Sequence, residues 1–260
     1  MEVVILGSAD EVARLAADRI AALVRRRPEA VLGLATGSSP TGIYAELARR
    51  TAAGELDMSG VRGFALDEYV GIPPAHPESY AAVIAREVVG PLGMSPDRVR
   101  VPDGRAADLE AAAEEYDRAI AAAGGIDLQL LGIGANGHIG FNEPTSSFAS
   151  RTRIKTLAPR TRADNARFFA SPDEVPTHCL TQGLGTILEA RELLLVAQGE
   201  GKAEAVAAAV EGPLTSMCPG SALQLHRRAA VVVDGAAASA LRLTDYYRHT
   251  YAHKPGWQRP

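Results

Sequence analysis

The side chains able to do chemistry fall in four short stretches of the sequence. Thr36-Gly37-Ser38-Ser39-Pro40-Thr41 is a hydroxyl-rich turn running into an amphipathic stretch that Pro40 can open at its first helical position. Free backbone N–H groups at such a helix start suit a phosphate, although Gly and Ser also serve plain turns. Gln198-Gly199-Glu200-Gly201-Lys202 repeats the arrangement with a lysine at the helix start. There a cation works against the helix dipole unless an anion lies nearby, the alternative being a solvated surface lysine. Gly132-Ile133-Gly134-Ala135-Asn136-Gly137 satisfies G-x-G-x-x-G. Yet Pro144 soon follows, and Arg151, Arg153 and Lys155 stand where the dinucleotide fingerprint needs an acid, so a nicotinamide cofactor is rejected. The same loop offers Asn136, His138 and Glu143, and an imidazole beside a carboxylate can shuttle a proton near neutral pH. Asp67-Glu68-Tyr69-Val70-Gly71 supplies adjacent carboxylates. Strand alternation sends them to opposite faces, so one of them is a candidate general base, the alternative being a carboxylate that merely caps the following turn. Together these stretches point to a small phosphorylated substrate and acid–base chemistry by a carboxylate and a histidine.

Such groups need a frame that brings loops together, and the sequence pattern supplies one. Short apolar runs at 3–6, 30–35, 63–66, 99–101, 126–131, 193–197 and 231–233 read as strands. Helical stretches at about 41–53, 79–88, 109–123 and 202–210 fall between them, as does one through about residue 26 introduced by Ser8 and Glu11, spaced as a capping box. Strands alternating with helices predict an α/β fold, a doubly wound, mostly parallel Rossmann-like sheet with helices on both faces. The four stretches then lie beyond strand carboxyl ends, where open α/β sheets bind ligands. Residues 1–260 read as a single domain. Residues 144–182, rich in Ser, Thr, Arg and Pro, read as a lid over the site, and 246–260 as a tail that frays or docks on a neighbouring subunit.

Composition narrows the class. With 47% hydrophobic and 22% charged residues in 260, the chain can build a packed core unaided. A net charge of −4 provides no global attraction to nucleic acid or anionic membrane, so neither is an expected partner. Two cysteines far apart, Cys179 and Cys218, predict free thiols in a reducing compartment. An acidic second residue argues against a secretion signal, and a cytoplasmic location is expected. Neither an H-E-x-x-H pair nor paired cysteines is present, so no metal is expected.

The segments Leu66-Asp67-Glu68-Tyr69-Val70-Gly71 and Gly134-Ala135-Asn136-Gly137-His138-Ile139-Gly140-Phe141-Asn142-Glu143-Pro144 resemble the two signature segments of the glucosamine-6-phosphate deaminase family. The likeness extends through residues 32–38 and 150–157, Lys202 and residues 222–226, leaving about the last fifteen residues free. It implies an enzyme of amino-sugar catabolism that converts glucosamine 6-phosphate and water to fructose 6-phosphate and ammonia without a cofactor. By resemblance, Asp67 is the base that moves the C2 proton of the open-chain sugar to C1. His138, supported by Glu143 and Asn136, opens the pyranose ring. Asn136 stands where some family members carry Asp; lacking that charge, it implies a lower imidazole pKa. The phosphate falls to Thr36, Gly37, Ser38, Ser39, Lys202 and Arg167, the last placed by the resemblance alone.

Related sugar-phosphate enzymes, 6-phosphogluconolactonase and ribose-5-phosphate isomerase, share the implied architecture, but the His138 loop favours the deaminase. A sugar-phosphate sensor would need a DNA-reading module, for which a chain opening on a strand leaves no room. Some members of the family are oligomers activated by N-acetylglucosamine 6-phosphate at residues matching Ser146, Arg153 and Lys155. The expectation is therefore a homo-oligomer with that activator, supported by three cations at 151, 153 and 155 that an anion would relieve.

Overall fold

The computed structural model describes residues 1–258. Among the described residues there are ten strands: β1 (Glu2–Leu6), β2 (Val31–Leu34), β3 (Arg62–Ala65), β4 (Asp67–Tyr69), β5 (Val99–Arg100), β6 (Leu128–Leu131), β7 (Arg153–Thr156), β8 (His178–Thr181), β9 (Leu193–Ala197) and β10 (Ala229–Asp234). The helices are α1 (Ala9–Arg26), α2 (Ser38–Ala52), α3 (Tyr80–Ile84), α4 (Gly90–Leu92), α5 (Leu109–Ala122), α6 (Pro159–Asn165), α7 (Leu184–Leu188), α8 (Ala203–Val210) and α9 (Thr244–Ala252). Seven strands pair in parallel in the order β1-β10-β9-β6-β2-β3-β5. These are the seven apolar runs of the sequence. They read clearly because helices cover the sheet: β2, β6 and β9 are buried at every position, which favours apolar stretches broken only by Gly33 and the buried Gln129.

From β2 the chain moves outward through β3 to β5, then returns to the other side of β2 with β6 and continues through β9 and β10. The strand order therefore reverses between β2 and β6, the place where a crevice opens beyond the carboxyl ends. All four chemical stretches follow strands of the block β9-β6-β2-β3 around that point.

Helix starts are locally encoded. Ser8 accepts from the Glu11 N–H, and Glu11 answers by accepting from the Gly7 N–H, one residue before the usual capping-box position. α2 begins at Ser38, so Pro40 is its third residue and not its first. Proline is still tolerated there, because first-turn N–H groups have no intrahelical partner. The helix expected over 79–88 is present and continues to Leu92: α3 passes through a wider, π-helical turn at Ala85–Val89 directly into α4.

Two expectations need correction. Residues 144–182 are not a lid throughout, because β7 and β8 within them join β4 in a three-stranded antiparallel sheet. What remains over the crevice is α6 with the short 3-10 turns Ala166–Phe168 and Pro172–Glu174. The tail is largely structured too. α9 packs on β1, and Lys254 Nζ reaches Glu2 Oε1 at 2.6 Å, so this part docks on its own subunit. The tail's last two residues, Arg259 and Pro260, lie outside the described residues. Among the described residues, no helix is long and apolar enough to cross a membrane.

Candidate active site

A cavity of about 650 Å³ opens at the strand-order reversal, lined by Thr36–Ser39, Asp67, His138, Arg167 and Lys202 among others. Asn136 and Glu143 do not line it; they stand behind His138. Ser146, Arg153 and Lys155 also lie outside it.

The hydroxyl-rich turn is anchored from below. Tyr44 donates its hydroxyl proton to Ala35 O at 2.9 Å and accepts from Ala35 N at 3.2 Å, which fixes the end of β2. Gly37 then takes φ 97°, a conformation natural to glycine, and no side chain caps α2. The first-turn N–H groups are left for solvent or an anion.

Asp67 begins β4, opposite Thr181 of β8. It is 6% exposed, and its pKa is pushed up to about 8, first by burial and then by the charge of Glu68. The Phe141 N–H and the Thr181 hydroxyl oppose that rise. A carboxylate so placed is a base matched to neutral or mildly alkaline pH. Tyr116 donates to Ala65 O at 2.8 Å and Gln182 Nε2 to the same oxygen at 3.0 Å, pinning the strand end that carries Asp67.

His138 is held by a relay whose polarity can be deduced. Asn136 Nδ2 lies 2.7 Å from Glu143 Oε2, and an ionised carboxylate only accepts, so the amide must present its nitrogen there. Asn136 Oδ1 then faces His138 Nδ1 at 2.6 Å and requires a proton on it. The lone pair is left on Nε2, ready to accept. The imidazole pKa falls below its ordinary value, chiefly through burial and also through the charge of Lys202, against the opposing pull of Glu143 and Asp164. The ring rests on Gly134, where a Cβ would overlap the imidazole.

Lys202 sits at the N-cap of α8, and its ammonium pKa is lowered by burial and by Arg167, while Asp164 raises it. Two cations that disfavour each other share this cavity with the uncapped start of α2, an arrangement whose charge a doubly charged anion could balance. Arg167 arrives on the turn after α6, its guanidinium 4.6 Å from the Phe168 ring centroid. Sequence reasoning from residue types missed Arg167, as well as Asp164 and Thr161 on the same cavity wall. All three belong to an aperiodic stretch, with no pattern to single them out.

The three cations of β7 and its approach do not act together. Arg151 is neutralised by Asp117 at 3.1 Å and Glu189 at 2.6 Å. Three unpaired cations therefore do not repel one another here, contrary to the expectation from their spacing. Arg153 and Lys155 share the half-buried face of β7, and Arg153 donates to Asn142 Oδ1 at 2.9 Å and to Ser146 Oγ at 3.3 Å.

Over residues 7–232 the sequence matches the family described as glucosamine-6-phosphate isomerases/6-phosphogluconolactonase. It is 61% identical over 258 residues to glucosamine-6-phosphate deaminase of Pseudarthrobacter chlorophenolicus and 60% identical over 259 residues to that of Streptomyces coelicolor, with 99% of both chains covered in each case. Among solved structures it resembles a monomeric glucosamine-6-phosphate deaminase with a TM-score of 0.90 at 42% identity, over 92% of this chain and 100% of that one. A 6-phosphogluconolactonase from Leishmania guyanensis shares the fold alone, with a TM-score of 0.72 at 20% identity, over 91% of this chain and 97% of that one.

Proposed function

The chain belongs to the glucosamine-6-phosphate isomerase/6-phosphogluconolactonase family, and on that premise we propose that it converts glucosamine 6-phosphate and water to fructose 6-phosphate and ammonia. One observation carries the reading: a carboxylate with its pKa pushed up to about 8 and an imidazole with a free Nε2 face one cavity that is also lined by the Thr36–Ser39 turn, Lys202 and Arg167.

The Thr36–Ser39 turn, Lys202 and Arg167 hold the phosphate and so fix the sugar. His138 Nε2 takes the proton of the O1 hydroxyl and delivers it to the ring oxygen, giving the open-chain aldehyde. Asp67 removes the C2 proton and returns it to C1, through an enolamine to an imine at C2. Water adds to that imine carbon and ammonia leaves, which yields the ketose. The lactonase reading loses ground because those relatives share about 20% identity, whereas deaminases match at about 60% over nearly the full chain. Incubation with glucosamine 6-phosphate should release equal amounts of ammonia and fructose 6-phosphate, and no release at neutral pH overturns the proposal. Cys179 and Cys218 are free thiols, which suits the reducing cytoplasm.

We further propose regulation by N-acetylglucosamine 6-phosphate in a homo-oligomer. The support is Arg153: its hydrogen-bond partners are all neutral oxygens, and burial works against its charge, so an anion beside it and Lys155 would be stabilised. Ser146 Oγ, between Arg153 and the Glu143 carbonyl at 2.7 Å, would carry the signal inward. The solved relative is monomeric, so sedimentation is the first measurement. A monomer with a hyperbolic, effector-insensitive curve ends this second reading.

A further inference from the structure

Thr161 of α6 is 4% exposed, and its hydroxyl donates to Glu143 Oε1. The Ala158 N–H, just ahead of the helix, lies 3.4 Å from the same oxygen. Glu143 thus has one carboxylate oxygen on the segment above the cavity and the other, Oε2, on Asn136 and through it on His138. Resting on the reading of His138 as the ring-opening group, we propose that Thr161 is a positioning residue that completes the His138 relay only while α6 covers the cavity.

The physical reason lies in the polarity of the relay. Asn136 turns its nitrogen toward Glu143 because a carboxylate oxygen is aimed there, and that choice places the imidazole proton on Nδ1. A carboxylate terminus rotates freely unless both oxygens are engaged. With Thr161 withdrawn, Oε2 is no longer aimed at Asn136 Nδ2, and the amide keeps its orientation only through the His138 N–H, which donates to Asn136 Oδ1 at 3.2 Å; the contact that holds the Nδ1 proton loosens, and the ring loses the fixed orientation that points Nε2 at the sugar. Arg167 follows Thr161 in one helical run, α6 and then the Ala166–Phe168 turn. Phosphate captured by Arg167 therefore seats Thr161 on Glu143, so ring opening starts only with substrate enclosed.

The test compares Thr161→Val and Thr161→Ser with the wild-type enzyme. One assay follows ammonia release from cyclic glucosamine 6-phosphate. The other follows deuterium exchange at C2 of an open-chain analogue, which bypasses ring opening. The valine variant should lose ~10-fold or more in kcat on the cyclic sugar, as misorientation of a supporting hydrogen bond does elsewhere, with exchange and KM near wild type. Serine should restore the rate. Adding Thr161→Val to Glu143→Gln should cost nothing further, because both act on one path. Equal losses in both assays, a serine variant as slow as valine, or losses that multiply in the double variant overturn the proposal. If the valine variant does not melt cooperatively, Thr161→Ala against Thr161→Ser reads the same contrast. An inactive wild-type enzyme would instead overturn the function itself, which keeps the two failures distinct.

Discussion

Asp67 and Glu68 are neighbours in the chain with opposite tasks. Asp67 lines the cavity, while Glu68 turns away and accepts from the N–H groups of Tyr69, Tyr80 and Ala81 at 2.8–2.9 Å, capping α3. The pair is also coupled, since the charge of Glu68 helps to keep the Asp67 proton on.

Glu68→Gln should therefore move the acid limb of the kcat/KM profile to lower pH, because less repulsion lets Asp67 ionise sooner. Turnover should persist, and stability should fall by about 1 kcal/mol from the weakened cap. An unmoved limb would show that Glu68 leaves the base untouched.

Asp67→Asn should abolish turnover and leave substrate binding within about an order of magnitude, since an amide keeps the shape without the basicity. Stability carries a second signature. Folded Asp67 holds its proton to about pH 8, against 3.8 for the ordinary group. The contribution of its neutral form is complete below the ordinary value and is lost as pH rises toward 8. The variant, always neutral, should melt progressively higher than wild type from pH 5 to 8, with a gap of at least ~3 °C at the upper end. A gap that shrinks with pH would contradict the assignment.

His138→Gln should slow ammonia release from the cyclic sugar by ~100-fold or more and spare C2 exchange in the open-chain analogue. Equal losses would give His138 another task.

Lys202→Ala and Arg167→Ala should each raise KM for the phosphorylated sugar roughly 10- to 150-fold, the loss of one charge-assisted hydrogen bond. Unchanged KM in both would move the phosphate elsewhere.

The sequence by itself determined the parallel sheet and the loops beyond it. β9 is covered on both faces, so its apolar run is continuous and needs no partner to be read, and β6 departs from that pattern only at the buried Gln129. It also carried Asp67, His138, the Thr36–Ser39 turn and Lys202, because each follows one of those strands. The small sheet was not legible. Its strands are three or four residues long, β4 pairs with β8 more than a hundred positions away, and β7 half-buries Arg153 and Lys155 while exposing Ile154 at 40%. Such a strand inverts the apolar-inward pattern that sequence reading depends on. Tertiary structure alone decided that Arg151 is neutralised, that Glu68 caps a helix, and that Thr161 grips Glu143. Each of these depends on which oxygen or cation folding brings within hydrogen-bond reach, and a one-dimensional pattern carries no record of that distance.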